Sequence, residues 1–259
     1  MSLIRAEGLS LAFGGVLAIN DLDFAFDEGR VHSIIGPNGA GKTTLFNLVT
    51  GIYQPTEGRI WLDESEITGF ATHQIAAQGV SRTFQNLQIF YNMTAEENVM
   101  VGRHMHADTR FVASLLGLPG IRRSNRECRE AAAELLDFVG LSAIGDQPAA
   151  NLSYGILKRL EIARALATEP KLLLLDEPAA GCNAVETAEI DQLIGKILDR
   201  GVTVVLVEHD MRLVMAVSDH ILVLDRGSKL AEGSPQEIQN NPDVITAYLG
   251  EGEGDQDAA

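Results

Sequence analysis

Three short apolar runs set the frame of this chain: Leu172–Leu175, Val202–Val207 and Ile221–Leu224. Each stops at an acid, namely Asp176, Glu208 or Asp225. Runs this short and this apolar predict strands buried on both faces of a parallel sheet. A further strand, Val31–Ile35, runs into a glycine-rich loop, and helical periodicity follows with Leu45, Leu48 and Val49 on one face. Another helical stretch, Glu186–Arg200, separates two of the apolar runs. Right-handed crossovers between such strands predict a doubly wound α/β core.

Elsewhere the pattern changes. Leu3–Phe26 and Gly58–Asp63 alternate loosely, with turn signals at Gly14-Gly15 and Pro55–Gly58. That predicts a small antiparallel layer at the N-terminus. From about Asn86 to about Gln147 the pattern is helical. Thr94 and Glu97 have the spacing of a capping box, and Ala132, Leu135, Leu136 and Val139 share one stripe. The expected organisation is a single domain. Its catalytic core is residues 1–85 and 160–235, and an inserted helical subdomain covers 86–159. A C-terminal helix follows over 236–250, then an acidic tail over 251–259.

Composition narrows the function. The chain has 259 residues, 46% of them apolar, enough for a sizeable core. Its formal net charge of −16 argues against a nucleic-acid partner, whose phosphates want clustered Lys and Arg. Cys128 and Cys182 make neither a disulfide framework nor a metal spacing, which points to a reducing compartment. No signal segment opens the chain and no apolar run approaches the ~20 residues of a membrane helix. The expectation is a soluble chain that meets a membrane only through a partner.

The chemistry begins at the loop Gly36-Pro37-Asn38-Gly39-Ala40-Gly41-Lys42-Thr43, which continues helically into Thr44. Strand, glycine-rich loop and helix form a phosphate-binding arrangement. Backbone amides converge on the phosphates, the helix adds its positive end, Lys42 adds a mobile cation, and the Thr43 hydroxyl ligates Mg²⁺. Asp176 and Glu177 follow a buried strand, at the sheet end where ligands bind. Asp176 suits the Mg²⁺ shell and Glu177 suits the base that orients or deprotonates an attacking water. His209 ends another strand and suits a γ-phosphate sensor, while Gln85 suits the metal and water shell. Leu152-Ser153-Tyr154-Gly155 precedes a helix with Ile156, Leu160, Ala163 and Ala167 on one stripe. This is a second anion site, with Ser153 and the Gly155 amide at a helix N-terminus. One nucleotide does not need two such sites in one chain, but a head-to-tail pair of chains does. Read alone, Ser153 would be an ordinary helix cap. His104-Met105-His106 does not put two ligands on one helix face and is read as a solvated or partner-facing segment, not a metal site.

In this order and spacing the motifs resemble the ATP-binding subunits of ABC transporters, over roughly residues 3–250. The resemblance implies a P-loop NTPase core with an N-terminal antiparallel β layer and an inserted α-helical subdomain. It implies ATP hydrolysis with Mg²⁺ in a two-subunit sandwich. Lys42, Glu177 and His209 are then catalytic, and Thr43, Gln85 and Asp176 lie in the metal shell. Phe13 falls where the family stacks an aromatic on adenine; read alone, it is a strand core residue. Leu152–Gly155 is the signature, and Asn183 lies in the loop that usually carries Asp.

Ser81-Arg-Thr-Phe-Gln-Asn, Met93–Val99, Glu161–Ala167 and Ile245–Gly250 look like the larger ATPase subunit of branched-chain amino acid importers. Such a subunit works with a second ATP-binding subunit, two permeases and, indirectly, a substrate-binding protein. It sits peripherally on the cytoplasmic face of the inner membrane. Lipopolysaccharide-export and urea-import ATPases look much alike at these positions. A soluble ABC ATPase acting on nucleic acid or ribosomes is the rival class, disfavoured by charge. Ile156, Cys182 and Ala184 depart from the family pattern, and the last two are expected to loosen their loop. Leu87, Ile89, Phe90 and Tyr91 are either subdomain core or a surface that grips a permease.

Overall fold

The apolar runs become strands of one six-stranded sheet in the computed structural model, which describes residues 1–106 and 119–249. Its members are β3 (Val31–Ile35), β6 (Val80–Arg82), β7 (Leu172–Asp176), β8 (Thr203–Val207), β9 (His220–Asp225) and β10 (Ser228–Gly233). The order is β10-β9-β3-β8-β7-β6, parallel throughout except for β10 against β9. Every residue of β3, β7 and β8 is buried. Side chains alternate across a strand. Accordingly, Leu172 and Leu174 enter one hydrophobic cluster while Leu173 and Leu175 enter the other. Both faces are covered, so the run needs no polar break.

The first cluster is closed by a four-stranded antiparallel sheet, β2-β1-β4-β5, and by helix α1 (Lys42–Val49). These strands are β1 (Ser2–Phe13), β2 (Val16–Asp27), β4 (Glu57–Leu62) and β5 (Ser65–Glu66). Gly14 and Gly15 join β1 to β2 with φ of 52° and 90°, the left-handed pair that a two-residue hairpin turn requires. A short helix, α2 (Thr72–Ala77), leads into β6.

Between β6 and β7 the chain leaves the sheet for α3 (Ala95–Gly102), a 3₁₀ turn (Arg103–His106), α4 (Pro119–Phe138) and α5 (Tyr154–Leu166). The capping box forms as expected: Glu97 N donates to Thr94 Oγ1 (3.2 Å) and Thr94 N to Glu97 Oε2 (2.9 Å). The stripe Ala132, Leu135, Leu136 and Val139 is buried. Helix begins at Ala95, however, not near Asn86. The buried Asn98 amide takes both backbone groups of Phe90, at 2.9 and 3.0 Å, so that stretch is satisfied without helical bonds. Helix α5 also spans the expected boundary at 159/160. It is not striped: Leu157, Lys158, Leu160, Glu161 and Ile162 are all buried, because the helix is packed on more than one side.

After β8 come α7 (Met211–Val217) and, beyond β10, α8 (Pro235–Gln239) and α9 (Pro242–Leu249); α6 (Ala184–Asp199) precedes β8. The single helix expected over 236–250 is therefore two. Pro242 brings no N–H to continue α8, and Asn241 Oδ1 accepts from Asp243 N at 2.9 Å as a new cap. The acidic tail lies outside the described residues.

One buried group makes this core sensitive to acid. His32 lies between the Phe26 ring at 4.6 Å and the His220 ring at 5.6 Å. Its Nε2 faces Asp27 O at 2.9 Å. A carbonyl only accepts, so Nε2 carries the proton, and Nδ1 is buried without a partner among the described residues. Burial holds the imidazole below its ordinary 6.5; nearby His220 adds to the shift, while Asp27 and Asp219 oppose it. Its neutral form is the folded one. The stability it contributes is complete above 6.5 and is lost as pH falls below that value through the lowered folded pKa. Melting curves from about pH 7.5 down to 5.5 should show a falling Tm, with a shallower fall in His32→Gln. Equal slopes would assign the acid sensitivity elsewhere.

Candidate active site

The loop between β3 and α1 is shaped by what lies behind it. A Cβ on Gly36 would stand 2.1 Å from Leu224 O, and one on Gly41, at φ 102°, would stand 2.7 Å from Ala18 O. Any side chain at either position forces the loop off its support. Gly227 N donates to Ala40 O (3.0 Å), tying the loop to the β9–β10 turn. Helical bonding in α1 starts with Leu45 N to Gly41 O (2.8 Å), so the first-turn amides precede the helical ladder. No acidic residue occupies the first turn. The positive end of α1 thus opens at the loop, as an anion site requires. Lys42 Nζ folds back on the carbonyls of Gly36 (2.6 Å) and Pro37 (2.9 Å).

The acids end β7 in different settings. Asp176 is buried, and its Oδ2 accepts from Arg82 Nη2 at 2.7 Å. Arg82 Nη1 donates to Asn47 Oδ1 on α1 (2.7 Å), and its guanidinium lies over the Phe46 and Phe84 rings at 5.3 and 5.2 Å. Arg82 therefore joins the phosphate-loop helix to the acid strand. Glu177 adopts the left-handed region, φ 47°, uncommon for a residue with a Cβ. Its Oε2 accepts from Gln85 Nε2 at 3.2 Å and lies 3.9 Å from His209 Nδ1. Three residues far apart in sequence meet on this one oxygen. Glu208 is buried beneath them: Oε1 accepts from Ala179 N (3.0 Å), and Oε2 from His209 N (3.0 Å) and Asp210 N (3.3 Å). It clamps the histidine turn to the segment after Glu177. The sequence reading gave no role to Arg82 or Glu208. For Glu208 the available signal was a charge placed just after an otherwise buried strand.

The segment Leu152–Gly155 lies at the start of α5. Ser153 is the exposed N-cap and makes no side-chain cap bond. Tyr154 is exposed but lies over Gly181, where an added Cβ would come within 3.0 Å of its ring. Gly155 is buried, and a Cβ there would meet Glu186 Oε1 at 2.3 Å. Its lack of a side chain therefore also serves packing within the chain. Asn183 caps α6 through Val185 N (2.9 Å) and Glu186 N (3.1 Å), and Glu186 Oε2 accepts from Asn183 N (2.9 Å). This reciprocal cap ties Asn183 to the first turn of α6, between Cys182 and Ala184. Burial pushes the Cys182 thiol up, with Glu186 adding to it. Ile156 and Leu152 pack partly buried against the helical cluster.

Phe13 is 45% exposed and is not a core residue; its ring meets Tyr53 edge-on at 5.1 Å. The apolar cluster after Gln85 divides. Ile89 is buried and Leu87 packs on the core, whereas Phe90 and Tyr91 are exposed. The side chains of Met105 and His106 lie outside the described residues. No described helix is long and apolar enough to cross a membrane.

The ABC transporter family model matches residues 19–180. A branched-chain amino acid ATP-binding cassette transporter model matches residues 228–254. The chain is 52% identical over 250 residues to the high-affinity branched-chain amino acid transport ATP-binding protein BraF of Pseudomonas aeruginosa, covering 96% of this chain and 98% of that protein. A nucleotide-free ATP-binding cassette from an ABC transporter has a TM-score of 0.84 at 32% identity, covering 96% of this chain and 99% of that one. The dimeric post-hydrolysis state of an ATP-binding cassette bound to ADP and Pi has a TM-score of 0.74 at 25% identity, covering 90% and 98%. With the matched span exceeding half its residues and its relatives aligned nearly end to end, this chain belongs to the ABC transporter family, as one of its ATP-binding subunits.

Proposed function

We propose that this chain powers the import of branched-chain amino acids by hydrolysing ATP at the interface of two ATP-binding subunits. The observation that carries the ATPase reading is the meeting of Gln85 and His209 on Glu177 Oε2, at 3.2 and 3.9 Å. The cargo reading is supported by BraF and by the C-terminal family match.

In this reading Phe13 stacks on adenine. The loop Gly36–Thr43, with Asn38 and Ala40 at its tip and Thr44 behind it, wraps the phosphates. Lys42 exchanges its two carbonyls for the β- and γ-phosphates. The Thr43 hydroxyl, the Asp176 oxygen not taken by Arg82 and the Gln85 amide oxygen would hold Mg²⁺, a hard-oxygen set that suits it and lets it neutralise phosphate charge. Glu177 takes the proton of the attacking water as the new bond to the γ-phosphorus forms and the bond to ADP breaks. His209 stands by the γ-phosphate. Leu152–Gly155 and Asn183 face the nucleotide of the second subunit, and closure follows because ATP binds the closed pair better than the open one.

Helices α3 and α4 and the exposed Phe90 and Tyr91 face two membrane permeases that receive cargo from a substrate-binding protein. The subunit then sits peripherally on the cytoplasmic face of the membrane. Source cells whose only copy carries Glu177→Gln should lose leucine, isoleucine and valine uptake. Normal uptake would reject this cargo and turn attention to lipopolysaccharide export or urea import.

A further inference from the structure

Lys158 is a buried ammonium outside every role assigned above. It is 2% exposed and lies five residues beyond Ser153 on α5. Burying a charge is costly unless the charge is bonded. Its Nζ donates to the main-chain carbonyl of Glu177 at 3.1 Å and stands 5.7 Å from the centre of the Tyr154 ring. Glu177 holds the left-handed backbone, φ 47°, which persists only where the surroundings enforce it. Two contacts do so. The amide of Glu177 donates to Val207 O on β8 (2.9 Å), and its carbonyl accepts from Lys158. The sheet fixes the amide side of this residue, and α5 shares the carbonyl with the turn that follows.

The same face of α5 holds the loop after Gln85. Glu161, one turn on, accepts from Gln88 N at 3.3 Å, and Arg164, one turn further, donates to Gln88 O. The helix thus grips two of the three residues that meet at Glu177 Oε2: the base through its own carbonyl and Gln85 through the chain that follows it.

We infer that Lys158 is a positioning residue for hydrolysis: its ammonium holds the Glu177 main chain so that the carboxylate stays aimed at the attacking water. This rests on the proposed role of Glu177 as base. Lys158→Met keeps the length of the side chain and removes the donor. The expected result is a fall in kcat of roughly 10–100-fold, the scale of a small misplacement of a reacting group. The Kd for a fluorescent ATP analogue should change by less than about twofold, since no phosphate contact is touched. Lys158→Arg, which keeps a cationic donor, should recover most of the lost kcat. Should Lys158→Met fail to fold, Lys158→Gln, which keeps a neutral donor, replaces it, with kcat between the two.

Pairing separates positioning from a general loosening of α5. With ATP, Lys158→Met in a Glu177→Gln background should pair as readily as Glu177→Gln alone. Weaker pairing in the double variant would make Lys158 a structural support of α5 and overturn the proposal. Wild-type kcat in Lys158→Met, or an equal loss in Lys158→Arg, would also overturn it. Full turnover in Glu177→Gln itself would instead remove the base on which the proposal rests, a distinct failure read from that single variant.

Discussion

Glu177→Gln is expected to lower ATP turnover by about 10²–10⁴-fold, the usual contribution of a general base, while leaving ATP binding intact. The amide keeps the shape of the side chain and its contact with Gln85, but it cannot take a proton. Nothing in the phosphate loop changes, and Lys158 and Val207 still hold the main chain. The bound nucleotide therefore persists, and with it the closed pair. Phosphate release measures turnover, and light scattering with and without ATP measures pairing. A persistent ATP-dependent dimer with little phosphate released is the expected outcome. Turnover near wild type would remove Glu177 from the role of base, and the water would need another proton acceptor.

Lys42→Ala should act at the earlier step. Lys42 Nζ rests on the carbonyls of Gly36 and Pro37, a cation held at the mouth of the loop. Loss of a charged hydrogen-bond partner for the phosphates costs about 1.5–3 kcal/mol, or roughly 10–150-fold in Kd. Nucleotide binding at ordinary working concentrations should then be lost, with turnover following it. Titration with a fluorescent nucleotide checks this. Unaltered affinity would refute the assignment of the loop. The two variants separate the steps, since Glu177→Gln binds and stalls whereas Lys42→Ala does not bind.

Much of this site is local chemistry and is legible in the chain. The phosphate loop needs glycines before a helix, with Lys and Thr at its start. The Thr94–Glu97 box and the Gly14-Gly15 turn involve neighbours only. Strands covered on both faces read as apolar runs because every second residue enters a different cluster, as Leu172 to Leu175 do. Where local reading failed, a distant partner had intervened. The helical pattern after Asn86 yields to Asn98, which takes the backbone of Phe90. The expected stripe on α5 is buried, but so are its other faces, because the helix is packed on several sides.

The sequence by itself determined the main buried strands, the antiparallel N-terminal layer, the family resemblance, and the residue types at the glycine-rich loop, the acid strand and Leu152–Gly155. Only the tertiary structure decided how the charges are paired. Arg82 meets Asp176 from 94 positions away. Glu208 reaches back to Ala179, and Lys158 reaches forward to Glu177. A buried charge must find a partner, but the partner is chosen by which elements the fold packs together. Residue type announces that need, and three-dimensional neighbourhood alone meets it.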